Sequence, residues 1–185
     1  FRWGVLLMPA IGGLLAGIVV YLVAPKAVGH GTDVLTRAFH HHMGRLPLRG
    51  PRTKAVAAIG VISFGGSAGP EGPVGALGAA IGSTLGRAFI VTPRERRILL
   101  IAGCGAGIGA IFQCPLGGAL FAASILYREP EFESDAIVPA VVASVVGYST
   151  YMAFWGFGSH MLEGAGELVF RSPVELIPYA ILGPL

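Results

Sequence analysis

A single carboxylate constrains this chain more than any other feature. Between Lys54 and Arg87 the only charged residue is Glu71. It sits in a turn of glycine and proline, Gly65-Gly66-Ser67-Ala68-Gly69-Pro70-Glu71-Gly72-Pro73, with apolar sequence on both sides. Glycine permits backbone angles closed to other residues, and proline stops a helix from continuing. The pattern therefore predicts two apolar helices meeting at an irregular break that holds an ionisable group. A charge within an apolar span costs several kcal/mol and marks function by default. Pro73 suits the first position of the second helix. The start of that helix would turn unpaired N–H groups and a positive dipole end toward the break, an arrangement that attracts anions.

Composition says what solvent surrounds these helices. Of 185 residues, 54% are hydrophobic and 12% charged, and 29 are glycine. Soluble domains carry about 25% charged residues, so a bilayer is the expected environment. Residues 5–24, 55–86, 98–126 and 136–157 are free of Lys and Arg, and Glu71 is their one acid. A crossing needs roughly 20 apolar residues, which predicts at least four crossings or their equivalents. The second and third stretches are broken by Gly or Pro, at 65–73 and 113–115. Broken helices at membrane depth are tolerated where they line a cavity or lie buried in protein, and they point to transporter binding sites.

The net charge of +3 is too small to indicate nucleic acid. Its placement is more informative. Arg45, Arg49, Arg52 and Lys54 form one basic loop, and Arg87, Arg94, Arg96 and Arg97 form another. Both are expected on the cytoplasmic side, so that the chain between them enters, turns near Glu71 and returns. The first residue is Phe1, no signal peptide is visible, and both ends fall in or beside apolar sequence. The reading is one transmembrane domain over residues 1–185, part of a larger multi-pass protein of the cell membrane.

Local signals refine this all-α picture. Gly13 and Gly17 would give the first helix a face for close helix contact. Thr32 or Asp33 can cap a short helix over residues 34–43. His40, His41 and His42 fall on different sides of such a helix, which favours a solvated helix end over a metal site. Residues 54–64 and 73–87 form the arms of the Glu71 turn. Thr92-Pro93-Arg94-Glu95 is a helix start with a capping box. Gln113-Cys114-Pro115 breaks that helix, and residues 115–126 form another. Cys104 and Cys114 are read as buried thiols. Further helices are expected over residues 134–154 and from Ser172-Pro173.

Two motifs, in this order, resemble a known family. Gly66-Ser67-Ala68-Gly69-Pro70-Glu71-Gly72-Pro73 is similar to the G-(K/R)-E-G-P signature of the CLC family of chloride channels and chloride/proton antiporters. Phe112-Gln113-Cys114-Pro115-Leu116-Gly117-Gly118-Ala119-Leu120-Phe121 is similar to that family's F-N-A-P-L-A-G-x-L-F segment. Gly29-His30-Gly31-Thr32-Asp33 stands in the place of its G-S-G-I-P signature and matches it at the glycines.

The resemblance implies a membrane homodimer with one pore per subunit and an inverted repeat of tilted, broken helices, about half of which is present here. It makes Glu71 the gate, a carboxylate that competes with chloride and is displaced or protonated to open the path. His30, Gly31, Gly69, Pro70 and Gly72 would surround the anion. The helices over 115–126 and 134–154 would form the dimer surface. The transported ligand would be chloride or a similar small anion, with no cofactor, metal or catalytic residue.

Three departures shape the expectation. Pro70 replaces the basic residue before the gating glutamate and removes a local positive charge. His30 replaces the anion-contacting serine, and its imidazole would strengthen anion occupancy in acid. Ser124 and Ile125 replace an acidic pair whose second member relays protons in the antiporters, and Ile125 cannot carry a proton. Channel-like or weakly coupled anion movement follows, with an antiporter using another proton route as the alternative. Two readings from other classes are a non-conducting membrane scaffold, since half a repeat should not enclose a pore, and an intramembrane hydrolase. The hydrolase would use Ser67 as nucleophile with His30 or His160 as base.

Overall fold

The computed structural model describes residues 2–25, 31–127 and 134–156. Their elements are helices: α1 (Arg2–Val23), α2 (Gly31–His41), α3 (Arg49–Ser63), α4 (Glu71–Ala88), α5 (Pro93–Ile111), α6 (Pro115–Ser124) and α7 (Ser134–Trp155). Among the described residues there is no strand, so this part of the chain is all-α, as expected. His30, the 128–133 segment, His160 and the helix expected from Ser172 lie outside the described residues.

Three helix starts fall earlier than the sequence reading places them, and at α4 the difference comes from a proline. The first turn of a helix makes no intrahelical use of its N–H groups, so proline is tolerated anywhere within it. α4 begins at Glu71, and Pro73 is its third residue; the first helical bond runs from the Val74 N–H to the Pro70 carbonyl at 2.9 Å. α3 likewise begins at Arg49 with Pro51 third, five residues before the expected Lys54. α2 begins at Gly31, so Thr32 and Asp33 belong to its first turn and do not precede it. An acid there still complements the helix dipole. The capping box of α5 forms as expected: the Thr92 hydroxyl accepts from the Glu95 N–H, and the Glu95 carboxylate accepts from the Thr92 N–H. Gln113, with φ of 54°, turns the chain between α5 and α6, and α6 stops at Ser124, two residues before the expected Leu126.

Small residues set the packing. α4 and α5 are antiparallel, with Gly78 against Gly103 and Gly82 against the Leu99 carbonyl; a Cβ on either member of the first pair would collide with the other's carbonyl oxygen. α5 in turn lies against α6 and α7, where Gly109 meets both Pro115 and Ser144. The Ser144 hydroxyl is buried and donates to the Gly105 carbonyl at 2.8 Å. Ala79, Ala80, Ala119, Ala122, Ala123, Ala136 and Ala140 fill much of the core. Larger side chains point outward, among them Leu14, Tyr21, Leu116, Val138, Val146 and Phe154. Small residues inside and bulky apolar residues outside is the arrangement of helices associating within lipid.

The two basic loops meet at one end of the bundle. The Ser83 hydroxyl, buried in α4, accepts from the Leu46 N–H at 2.8 Å and donates to the Gly44 carbonyl at 2.6 Å. Gly44 lies against the backbone of Arg96 and Arg97. Arg97 sits 5.3 Å over the Phe39 ring, and Arg94 pairs with Asp135 at the start of α7. The His40 Nε2–H donates to the Leu126 carbonyl at 3.0 Å, tying α2 to the chain just after α6. Among the described residues no group of His, Cys, Asp and Glu could hold a metal ion. One described helix, α7, is long and apolar enough to cross a membrane by itself; residues 7–23 and α6 are apolar but shorter.

Candidate functional site

At the break between α3 and α4 the chain must leave one helix and begin another in a few residues. Gly65, at φ of 77°, ends α3, and its N–H bonds to the Ile62 carbonyl while the Gly66 N–H bonds to the Val61 carbonyl, both at 2.9 Å. The chain then passes through Ser67 to Gly69 without regular structure and enters α4 at Glu71. Pro70 occupies the capping position and no side chain caps this helix. Pro73 has no N–H, so the donors left over in the first turn are those of Glu71 and Gly72. α5 differs in this respect, since Thr92 and Glu95 satisfy its start.

Glu71 is half-buried and its carboxylate folds against Gly69, where a Cβ would run straight into it. Together with Gly72 it lines a cavity of about 70 Å³, completed by Thr32 and Leu35 of α2, Gly75 and Ala76 of α4, Cys104 and Ile108 of α5, and Phe121 and Ile125 at the end of α6. A water needs roughly 10–15 Å³ of such space, so the cavity has room for a few waters or a small ion. At 1.5 Å per residue α5 is about 28 Å long, and Cys104 and Ile108 lie about 16 and 22 Å from its basic end. The cavity therefore lies beyond the midpoint of α5, away from the arginines at its start.

Of the residues singled out from sequence, the structure brings Glu71, Gly72 and Ile125 to this cavity, and Gly31 is next to its lining residue Thr32. Gly69 touches the glutamate from outside the lining, and Pro70 sits at the helix entrance. His30 lies outside the described residues, so its expected place beside the anion has no structural counterpart here. Thr32, Leu35, Cys104 and Ile108 were not foreseen, because their membership depends on how α2 and α5 pack against α4. Cys104 is buried as expected; Cys114 is exposed, because it is the uncapped residue preceding α6 at the break. Ser67, the nucleophile of the hydrolase reading, is exposed on the turn, and both of its candidate bases lie outside the described residues.

The cavity joins a tethered carboxylate, a threonine hydroxyl and two uncommitted backbone donors inside an apolar wall. Such a set holds a small anion or its carboxylate substitute. A family model described as "Voltage gated chloride channel" matches residues 12–185. A chloride/fluoride channel protein of Pseudomonas syringae is 31% identical over 174 residues, covering 94% of this chain and 37% of that protein. Chloride channel protein CLC-e of Arabidopsis thaliana is 35% identical over 188 residues, covering 98% of this chain and 25% of that protein. The voltage-gated ClC-type chloride channel ClcB of Yersinia pestis is 29% identical over 184 residues, covering 98% of this chain and 43% of that protein. The chain thus spans between a quarter and about two fifths of the length of these curated relatives. It belongs to the voltage gated chloride channel family, the family its two motifs resemble.

Proposed function

We propose that this chain forms part of a membrane path for chloride or a similar small anion, and that Glu71 is the gate of that path. The observation that carries the reading is the position of Glu71 in the first turn of an uncapped helix, on a small cavity away from the basic end of the bundle. Unsatisfied N–H groups and the helix dipole favour negative charge at this point. The Glu71 carboxylate supplies that charge intramolecularly and so competes with any free anion. Swinging the side chain away, or protonating it, removes the competing charge and leaves the donors of Glu71 and Gly72 to the ion. The Thr32 hydroxyl adds a further donor, with Gly31, Gly69 and Pro70 shaping the backbone around the ion and His30 beside it.

Ile125 on the same cavity supports channel-like or weakly coupled movement, since an alkyl side chain cannot relay a proton. The exposed apolar faces of α6 and α7, including Leu116, Leu120, Val138, Val142 and Val146, support a homodimer through these helices. Multi-pass insertion in the cell membrane accords with the family and with the outward-facing apolar residues. The name of the Pseudomonas relative, a chloride/fluoride channel protein, puts fluoride among the anions to compare.

Diffraction from crystals of the whole protein soaked in bromide tests the site. A bromide peak beside Glu71, Gly72 and Thr32 is expected. Bromide bound elsewhere in a protein that transports it would remove the assignment.

A further inference from the structure

The start of α3 has the same chemistry as the start of α4, with the charge reversed. α4 opens Glu71-Gly72-Pro73 and α3 opens Arg49-Gly50-Pro51. Both helices lack a side-chain cap, and α3 has no acid in its first turn. A helix start normally favours an anion, yet here it carries cations. Arg49 donates from Nε to the Val23 carbonyl at 3.1 Å, spanning from the end of α1 to the start of α3. Lys54 lies five residues further along α3.

These groups border a cavity of about 610 Å³ whose described lining is otherwise largely apolar, with Leu22, Val34, Leu46 and Pro51 among it. A second opening continues from it. Gly13 and Gly17, expected to hold a neighbouring helix, have open space where a side chain would be. With Leu14, Ile18, Tyr21 and Leu22 they line a groove of about 470 Å³ along α1. Leu22 belongs to both. From Gly13 to Leu22 the groove is about 14 Å long, close to half of a hydrocarbon core about 30 Å thick.

The geometry points to a binding site for an anionic phospholipid. Its phosphate sits between Arg49, Lys54 and the uncapped N–H groups of α3, and an acyl chain lies along the Gly13–Gly17 groove. Charge and shape together select this occupant. Arg49 and Lys54 bring positive charge to the cavity for the headgroup, and the apolar groove lies along α1 beside them. The headgroup end lies with Arg45, Arg52 and the other basic residues, the side on which anionic lipids are held by basic clusters. The proposal rests on the membrane reading above and not on the anion path at Glu71.

Native mass spectrometry of the whole protein, released from vesicles of mixed phosphatidylglycerol and phosphatidylcholine, tests it. The wild type is expected to retain phosphatidylglycerol selectively. One basic group near an anionic surface is worth about a fivefold change in affinity, so Arg49→Gln and Lys54→Gln should each lower retention about fivefold, with Lys54→Arg restoring it as a check on folding. Gly17→Leu should also lower it by filling the groove. Unchanged retention in the two glutamine variants would overturn the site. Displacement by millimolar inorganic phosphate, with Gly17→Leu silent, would overturn the lipid in favour of a free phosphate. In a Cys114→Ser background, Gly17→Cys should react with a bilayer-soluble maleimide; protection from it would mean that protein covers the groove. A protein that fails to enter vesicles contradicts the membrane reading, whereas one that enters and retains no phosphatidylglycerol contradicts this proposal alone.

Discussion

Glu71 and Ile125 line the same small cavity, one from the first turn of α4 and the other from the end of α6. The carboxylate can take up and release a proton, and the alkyl group beside it cannot pass that proton on. The whole protein in liposomes is therefore expected to carry chloride down its gradient without driving protons uphill. Internal pH measured during a chloride gradient checks this. Sustained uphill proton movement would show that another residue replaces the missing relay.

Close backbone approach predicts unequal effects from the same substitution. Gly78→Ala places a methyl against the Gly103 carbonyl, and overpacking of this kind costs about 1–3 kcal/mol or more. Gly13→Ala meets nothing within 4 Å and should be neutral or up to about 1 kcal/mol stabilising, because alanine is the better helix former. Thermal unfolding in one detergent compares them. Equal losses would mean that α4 and α5 are not held at the observed separation.

The capping box of α5 predicts a pH effect with a definite sign. The Thr92 hydroxyl and backbone N–H hold the Glu95 carboxyl below the usual glutamate value. A depressed folded-state value stabilises at pH above the unfolded-state value, and the benefit is lost as pH falls through the folded-state value. The difference in melting temperature between wild type and Glu95→Ala should therefore be largest near neutral pH and shrink in acid. Thr92→Ala should cost about 1 kcal/mol near neutral pH. A wild-type advantage that grows in acid would contradict the box.

These elements differ in how far the sequence announces them. The breaks at 65–70 and 112–114 are legible because glycine and proline act locally, and Thr92-Pro93-Arg94-Glu95 is legible because its cap is made within four residues. The start of α4 is misplaced because a proline reads the same at the first or third helical position. That Thr32 and Cys104 share a cavity with Glu71 is set by the packing of three helices, which no local pattern encodes. Gly13 and Gly17 show the converse: a small-residue face promises close contact, but α3 meets α1 at Gly12 instead.

Chloride flux through the whole protein in liposomes, compared between wild type and Glu71→Gln across pH, tests the account most directly. Glutamine keeps the size of the side chain and removes the competing charge. Flux at neutral pH should rise about tenfold or more, the effect of removing about 1.4 kcal/mol of competition, and most of the pH dependence should disappear. Flux and pH dependence unchanged from wild type would contradict the assignment of Glu71 as the gate.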